Sequence, residues 1–181
     1  IKLLKHEDEN IRIVAIAILG EIGEGATEAI PFFEEILMDF KQENRYSRLV
    51  VIDALGKMGQ PAVPPLIAVL KGDSSVHIYA VEALGKMGQP AVSALITILK
   101  DEDEEGWVRS RAVEALGGIG EEAKDAVPAL IASLKNEDED IYVRFDAAGT
   151  LGRIGQEAKD AFPALITILK DRDEDSRVRS R

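Results

Sequence analysis

The sequence contains no cysteine. That excludes disulfides, thiolate metal sites and a cysteine nucleophile, and leaves the compartment open, because chains without thiols are tolerated anywhere. Aromatic residues are scarce too: one Trp, three Tyr and five Phe in 181 residues. The apolar 46% is mostly Ala, Leu, Ile and Val. Such a supply suits thin helix-to-helix seams, since Ala lets backbones approach closely and both Ala and Leu favour helix. There is no apolar run of the roughly 18 residues a membrane span requires. Residues Ile1 to Lys5 are too short and poorly flanked for a signal peptide. A cytoplasmic location and no membrane partner are therefore expected. Positive charge is also in deficit, with 22 Lys and Arg against 33 Asp and Glu and a formal net charge of −11. That field repels a phosphate backbone, so no nucleic-acid partner is expected. The same field keeps the molecule soluble and speeds encounters with a basic protein surface or peptide.

What the chain does have is a repeat. Leu-Gly recurs at Leu19-Gly20, Leu55-Gly56, Leu84-Gly85, Leu116-Gly117 and Leu151-Gly152, and a second glycine follows three residues later as Gly23, Gly59, Gly88, Gly120 and Gly155. Upstream of each pair lies helical periodicity; in the fourth repeat Val108, Ala112, Ala115, Leu116 and Ile119 share one stripe. The glycine pair reads as the end of that first helix. Downstream, Pro31, Pro64, Pro128 and Pro163 stand where a second helix would start, with Ser93 in their place in the third repeat. This position lies eleven residues after the first glycine in three repeats and eight in the other two, a difference of three that one extra turn absorbs.

The spacing predicts first helices near 10–20, 45–57, 75–86, 105–118 and 139–153, and second helices near 27–39, 62–71, 90–100, 124–135 and 159–170. The fold class predicted is all-α, an α–α superhelix of about five helix pairs in one domain, with no β-structure. The repeats are placed at about 7–39, 40–72, 73–101, 102–136 and 137–170, with partial units 1–6 and 171–181. Acidic linkers such as KDEDEEG (101–106 with its preceding lysine) and KNEDED precede the first helices, where the positive end of the helix dipole favours negative charge. Lys71, Lys100, Lys135 and Lys170 sit at the opposite, negative ends of second helices. Both chain ends look uncapped, as in a piece of a longer protein, and self-association through them is expected.

These units resemble HEAT repeats of the subtype found in phycobilisome bilin lyases. The segments VRSRAVEALGGIGEEAKDAVPALIASLKN (108–136) and VRFDAAGTLGRIGQEAKDAFPALITILKD (143–171) carry the resemblance most fully. It implies a stacked helical fold and, in one branch, handling of a bilin chromophore.

Several residues are candidates for contact. Counting from the first glycine of each pair as zero, position −10 holds Tyr46, Trp107 and Tyr142, a row of aromatics of the kind enriched in binding hot spots or used to cover a seam between units. In a solenoid of this kind the second helices line the concave side. Their outward stripe offers Thr97, Ala132 and Thr167 with a lysine edge of Lys71, Lys100, Lys135 and Lys170, shallow enough to receive an extended segment or a helix. Position −8 carries Arg12, Arg48, His77, Arg109 and Arg144. Their surroundings are acidic, so the side chains are expected to satisfy carboxylates or carbonyls of neighbouring units.

Chemistry is harder to find. Asp101, Asp103 and Glu105 before Gly106 resemble the opening of a calcium loop, but the twelfth position holds Ala112 where a bidentate Glu is required. His6 and His77 occupy unrelated positions, and no His-Glu pair recurs as in the iron-dependent hydroxylases built from such repeats. The Gly-x-x-Gly steps do not follow strands and are not phosphate loops. The sequence therefore predicts no enzyme, no metal and no cofactor, but a scaffold that binds a protein or peptide, with basic character, on its concave surface. The alternatives are a bilin lyase-like, chromophore-handling subunit and a passive spacer in a larger chain.

Overall fold

The computed structural model describes residues 1–38, 45–72 and 76–170, with side chains of the last helix given through Ile166. It is all-α, and no strand occurs among the described residues. Ten α-helices follow in order along them: α1 (Glu9–Ile22), α2 (Ile30–Met38), α3 (Arg45–Gly56), α4 (Val63–Leu70), α5 (His77–Met87), α6 (Gln89–Lys100), α7 (Gly106–Ile119), α8 (Val127–Lys135), α9 (Ile141–Ile154) and α10 (Phe162–Lys170). No described helix is long and apolar enough to cross a membrane.

The chain forms two compact units, Ile1–Pro90 and Ala91–Arg181. In the first, α3 packs between α1 and α5, and α2 packs on α4. In the second, α7 packs on α9, while α8 contacts both α9 and α10. Like thus stacks on like. Ile16, Phe33, Ile52, Leu55, Leu66, Leu70 and Leu84 are buried in the first unit, and Leu116, Leu130, Leu134 and Ile154 in the second. Burying each such side chain contributes about 1.5–3 kcal/mol.

The two glycines of each repeat do different jobs. The second has positive φ in every repeat, from 64° at Gly23 to 73° at Gly88, a conformation a β-carbon obstructs, and it caps the first helix in all but the second repeat. The first ends a helix in the second repeat, where α3 stops at Gly56; contrary to expectation, Gly20, Gly85, Gly117 and Gly152 lie inside α1, α5, α7 and α9. At Gly20, Gly56 and Gly117 its role is close approach. A Cβ on Gly20 would lie 2.8 Å from the Cα of Ala54 in the following first helix, and one on Gly117 would lie 2.7 Å from Thr150 Oγ1.

The expected extra turn is a 3-10 helix. It spans Gly23–Ala29, Gly120–Ala126 and Gly155–Ala161 in the long linkers, shrinks to Gln60–Ala62 in the second repeat, and vanishes in the third. There α6 starts at Gln89, so Ser93 lies inside the helix and Pro90 takes the place in its first turn.

Capping uses the linker acids. Asp8 accepts from Asn10 N at 2.8 Å and Asp140 from Tyr142 N at 2.8 Å. The residues at position −8 hold the linkers. Arg12 Nη1 donates to the carbonyls of His6 and Glu7 at 2.9 and 3.1 Å, and Arg144 Nε donates to Leu134 O at 3.4 Å. His77 Nε2 lies 3.0 Å from Gly72 O. Arg109 donates to Glu104 O and forms a 2.7 Å ion pair with Glu139, both side chains largely buried.

Candidate functional site

Two open grooves run along seams between first helices. In the second unit, α7 and α9 flank a depression of about 590 Å³ whose walls include Trp107 and Tyr142. Carboxylates of Glu105, Glu114, Asp140 and Asp146 line it with a single guanidinium, Arg111. The groove exists because α7 and α9 start side by side: Gly117 and Thr150 let the helices close together, while their first turns carry large side chains outward.

Local bonds fix the orientation of these groups. Trp107 Nε1 donates to Glu105 Oε2 at 2.5 Å, which turns the N-terminal acid of α7 from capping to holding the indole. Ser110 Oγ donates to Asp146 Oδ2 at 2.5 Å across the seam. Arg111 pairs with Glu114 at 2.6 Å. The arrangement presents two ring faces beside an excess of negative charge.

In the first unit, α3 and α5 flank a groove of about 340 Å³ lined by Leu49, Ile52, Tyr79, Lys57 and Lys86, among others. Here the cations are already matched. Lys57 Nζ sits 2.8 Å from both Asp53 and Glu21, and these hydrogen bonds push its pKa up to about 12, Asp53 contributing most. Lys86 pairs with Glu82 at 2.7 Å, which raises it as well. The Arg45 guanidinium lies 5.9 Å from the Tyr79 ring.

The residues singled out from the sequence fall as follows. Tyr46, Trp107 and Tyr142 are 61, 40 and 58% exposed. Trp107 and Tyr142 meet on one groove, whereas Tyr46 belongs to the other unit and lines neither groove. Lys71, Thr97, Lys100, Ala132 and Lys135 are exposed on or just after second helices, and Thr97 Oγ1 bonds back to Ser93 O at 3.1 Å. The side chains of Thr167 and Lys170 lie outside the described residues. Ser110, Arg111, Glu114 and Asp146 were not anticipated. They converge only because two helices cross, and no motif in either helix marks them.

Comparison with known proteins places this geometry in context. The family profile of HEAT repeats matches residues 30–106, 63–140 and 92–181. No curated protein matches the sequence significantly. Among solved structures, the chain is similar to the complex of CpcE and CpcF of phycocyanin lyase from Nostoc sp. PCC7120, with 25% identity, a TM-score of 0.51, and coverage of 95% of this chain and 69% of that one. It is also similar to human deoxyhypusine hydroxylase in complex with glycerol, at 21% identity and a TM-score of 0.41, covering 99% of this chain and 90% of that one. The first similarity corrects the expectation that the chain is no enzyme. The relative is part of a lyase built from two proteins, and chemistry assembled by a complex need not leave a nucleophile or acid–base motif in either chain.

Proposed function

The chain belongs to the HEAT-repeat family and is related to its phycobilisome-lyase branch, and from that premise we propose that it is a lyase-like subunit that handles a bilin chromophore together with a protein partner. The observation that carries this reading is the similarity to the phycocyanin lyase complex over 95% of the chain. With no cysteine of its own, the chain takes part by holding and orienting the pigment while an acceptor protein supplies the thiol. Rigid stacked helices suit that task, because groups fixed in advance need not be ordered on binding.

Titration with a free bilin tests the reading. Binding in an ordered site should shift and sharpen the visible absorption saturably, and pigment should pass to a cysteine-bearing acceptor so that colour follows that protein under denaturing conditions. An unchanged spectrum with bilin in excess would sink it.

Protein binding on the helix surface is the complementary part. Thr97, Lys100, Ala132 and Lys135 are exposed on second helices and so are accessible to a partner, and the exposed aromatics Tyr46, Trp107 and Tyr142 are of the type that anchors interfaces. Recovery of an acceptor protein should fall with Lys135→Glu and with Trp107→Ala; equal recovery by all forms would place its contact elsewhere.

A further inference from the structure

We infer that the groove between α7 and α9 is a docking site for an extended, arginine- or lysine-bearing segment of a protein partner. The inference rests on the protein-binding half of the proposed function and not on bilin handling. Charge is the first argument. Of the lining carboxylates, Glu114 is paired with the one lining guanidinium, Arg111, and Asp146 is engaged by Ser110. Glu105 and Asp140 accept from the uncharged N–H groups of Trp107 and Tyr142 and keep their charge in the groove. The corresponding groove between α3 and α5 has its two lysines matched by Asp53 and Glu82. Negative excess is therefore a property of this groove and not of first-helix seams in general.

The rings supply the second argument. Trp107 and Tyr142 stand exposed on the same groove, and a cation set over an aromatic face is attracted by the ring quadrupole, with Trp the best platform. Arginine uses both features at once, since its planar fork pairs with a carboxylate while its face stacks on a ring. Glu105 fixes the indole through its N–H, so that platform is ordered before a ligand arrives.

Shape selects the class of ligand. The groove is open and holds about 590 Å³, room for a few side chains along a strand of peptide. Among the described residues no group of three or more His, Asp and Glu is placed to hold a metal ion. The negative charge is spread along the seam, as a polycationic segment requires.

Trp107 is the only tryptophan in the chain, so its emission reports on the groove directly. Titrating the full chain with a hexa-arginine peptide should give a saturable change in emission, and hexaglutamate should give none. Raising salt from roughly 0.05 M to 0.3 M should weaken binding about tenfold. The Asp140→Asn, Asp146→Asn double variant should weaken it about tenfold as well, and α9 keeps its cap because asparagine caps a helix as well as aspartate does. Tyr142→Ala, an exposed site that tests the ring without touching charge, should weaken it about fivefold. A control pair, Glu121→Gln with Asp125→Asn, removes the same charge from the same unit outside the groove and should change affinity less than about twofold. No saturable signal, or an equal loss in the control pair, would overturn the proposal. The bilin titration reads a different signal, so either proposal can fail alone.

Discussion

Gly120 and Gly152 differ in what alanine would do there. Gly120 has φ of 70° and nothing within 4 Å of where a β-carbon would stand, so Gly120→Ala meets backbone strain alone. It should cost about 1–2 kcal/mol. Gly152 lies inside α9 in equally open space, so Gly152→Ala should stabilise by about 0.5–1 kcal/mol by removing backbone freedom from the unfolded chain. Urea denaturation followed by circular dichroism reads both, and a shift of the same sign in the two variants would contradict this assignment. Lys57 gives a residue-level pH dependence. Its pKa rises from 10.5 to about 12 in the folded chain, so its contribution is complete below pH 10.5 and fades as pH climbs through 12. Because the side chain is 43% exposed, Lys57→Met should lose less than about 1 kcal/mol at neutral pH. The gap between variant and parent should close toward pH 12. At this scale the sequence was half legible. A glycine three residues past another marks a helix end, but sequence alone does not separate a glycine that ends a helix from one that admits a neighbour, and Gly20 proved to be the second kind.

Helices stack here through one recurrent contact: a glycine at position zero against a small residue at −2 of the next first helix. Gly20 meets Ala54, Gly56 meets Ala83, and Gly117 meets Thr150. Position −2 of α1 is instead Ile18, and it is 55% exposed, with Ile11, Val14 and Ile22 exposed on the same helix. In α3 and α9 the matching positions −9, −2 and +2 are all buried, by Ser47, Ala54 and Met58 and by Val143, Thr150 and Ile154. The large residue at −2 is tolerated on α1 because no described helix crosses there. Ala54→Ile should therefore cost about 1–3 kcal/mol by overpacking against Gly20, while Ile18→Ala, the reverse exchange at the same register, should stay within about 0.5 kcal/mol. Similar costs for the two would show that the glycine contact does not set the helix spacing. Arg109 makes a comparable case at the linkers. Arg109→Met strands the largely buried Glu139 and should cost roughly 3 kcal/mol, partly recovered by adding Glu139→Gln. The helices themselves were legible to within about three residues from apolar period and glycine spacing, because those signals are local. The groove was not, since Ser110 and Asp146 lie 36 residues apart and their meeting is a property of the crossing.

For the whole molecule the governing quantity is the formal charge of −11 over 181 residues. It was plain from composition, whereas the proposed lyase-like role has no nucleophile or acid–base motif to mark it in the sequence. The ion pairs seen among the described residues are mostly short-range and exposed, such as Lys86–Glu82 and Arg111–Glu114, and pairs of that kind contribute little. Self-repulsion should therefore outweigh them at low ionic strength. Raising sodium chloride from about 0.01 M to 0.15 M shortens the screening length from about 30 Å to about 8 Å and should stabilise the fold by about 1 kcal/mol. The denaturant slope should stay constant, since the surface exposed on unfolding does not change. The same salt weakens capture of an arginine peptide by the α7–α9 groove, so folding and binding respond in opposite directions to one variable. If stability instead fell with salt, attraction within the acidic surface would exceed its repulsion. The acidic field would then be satisfied within the chain and not left for a basic partner to neutralise.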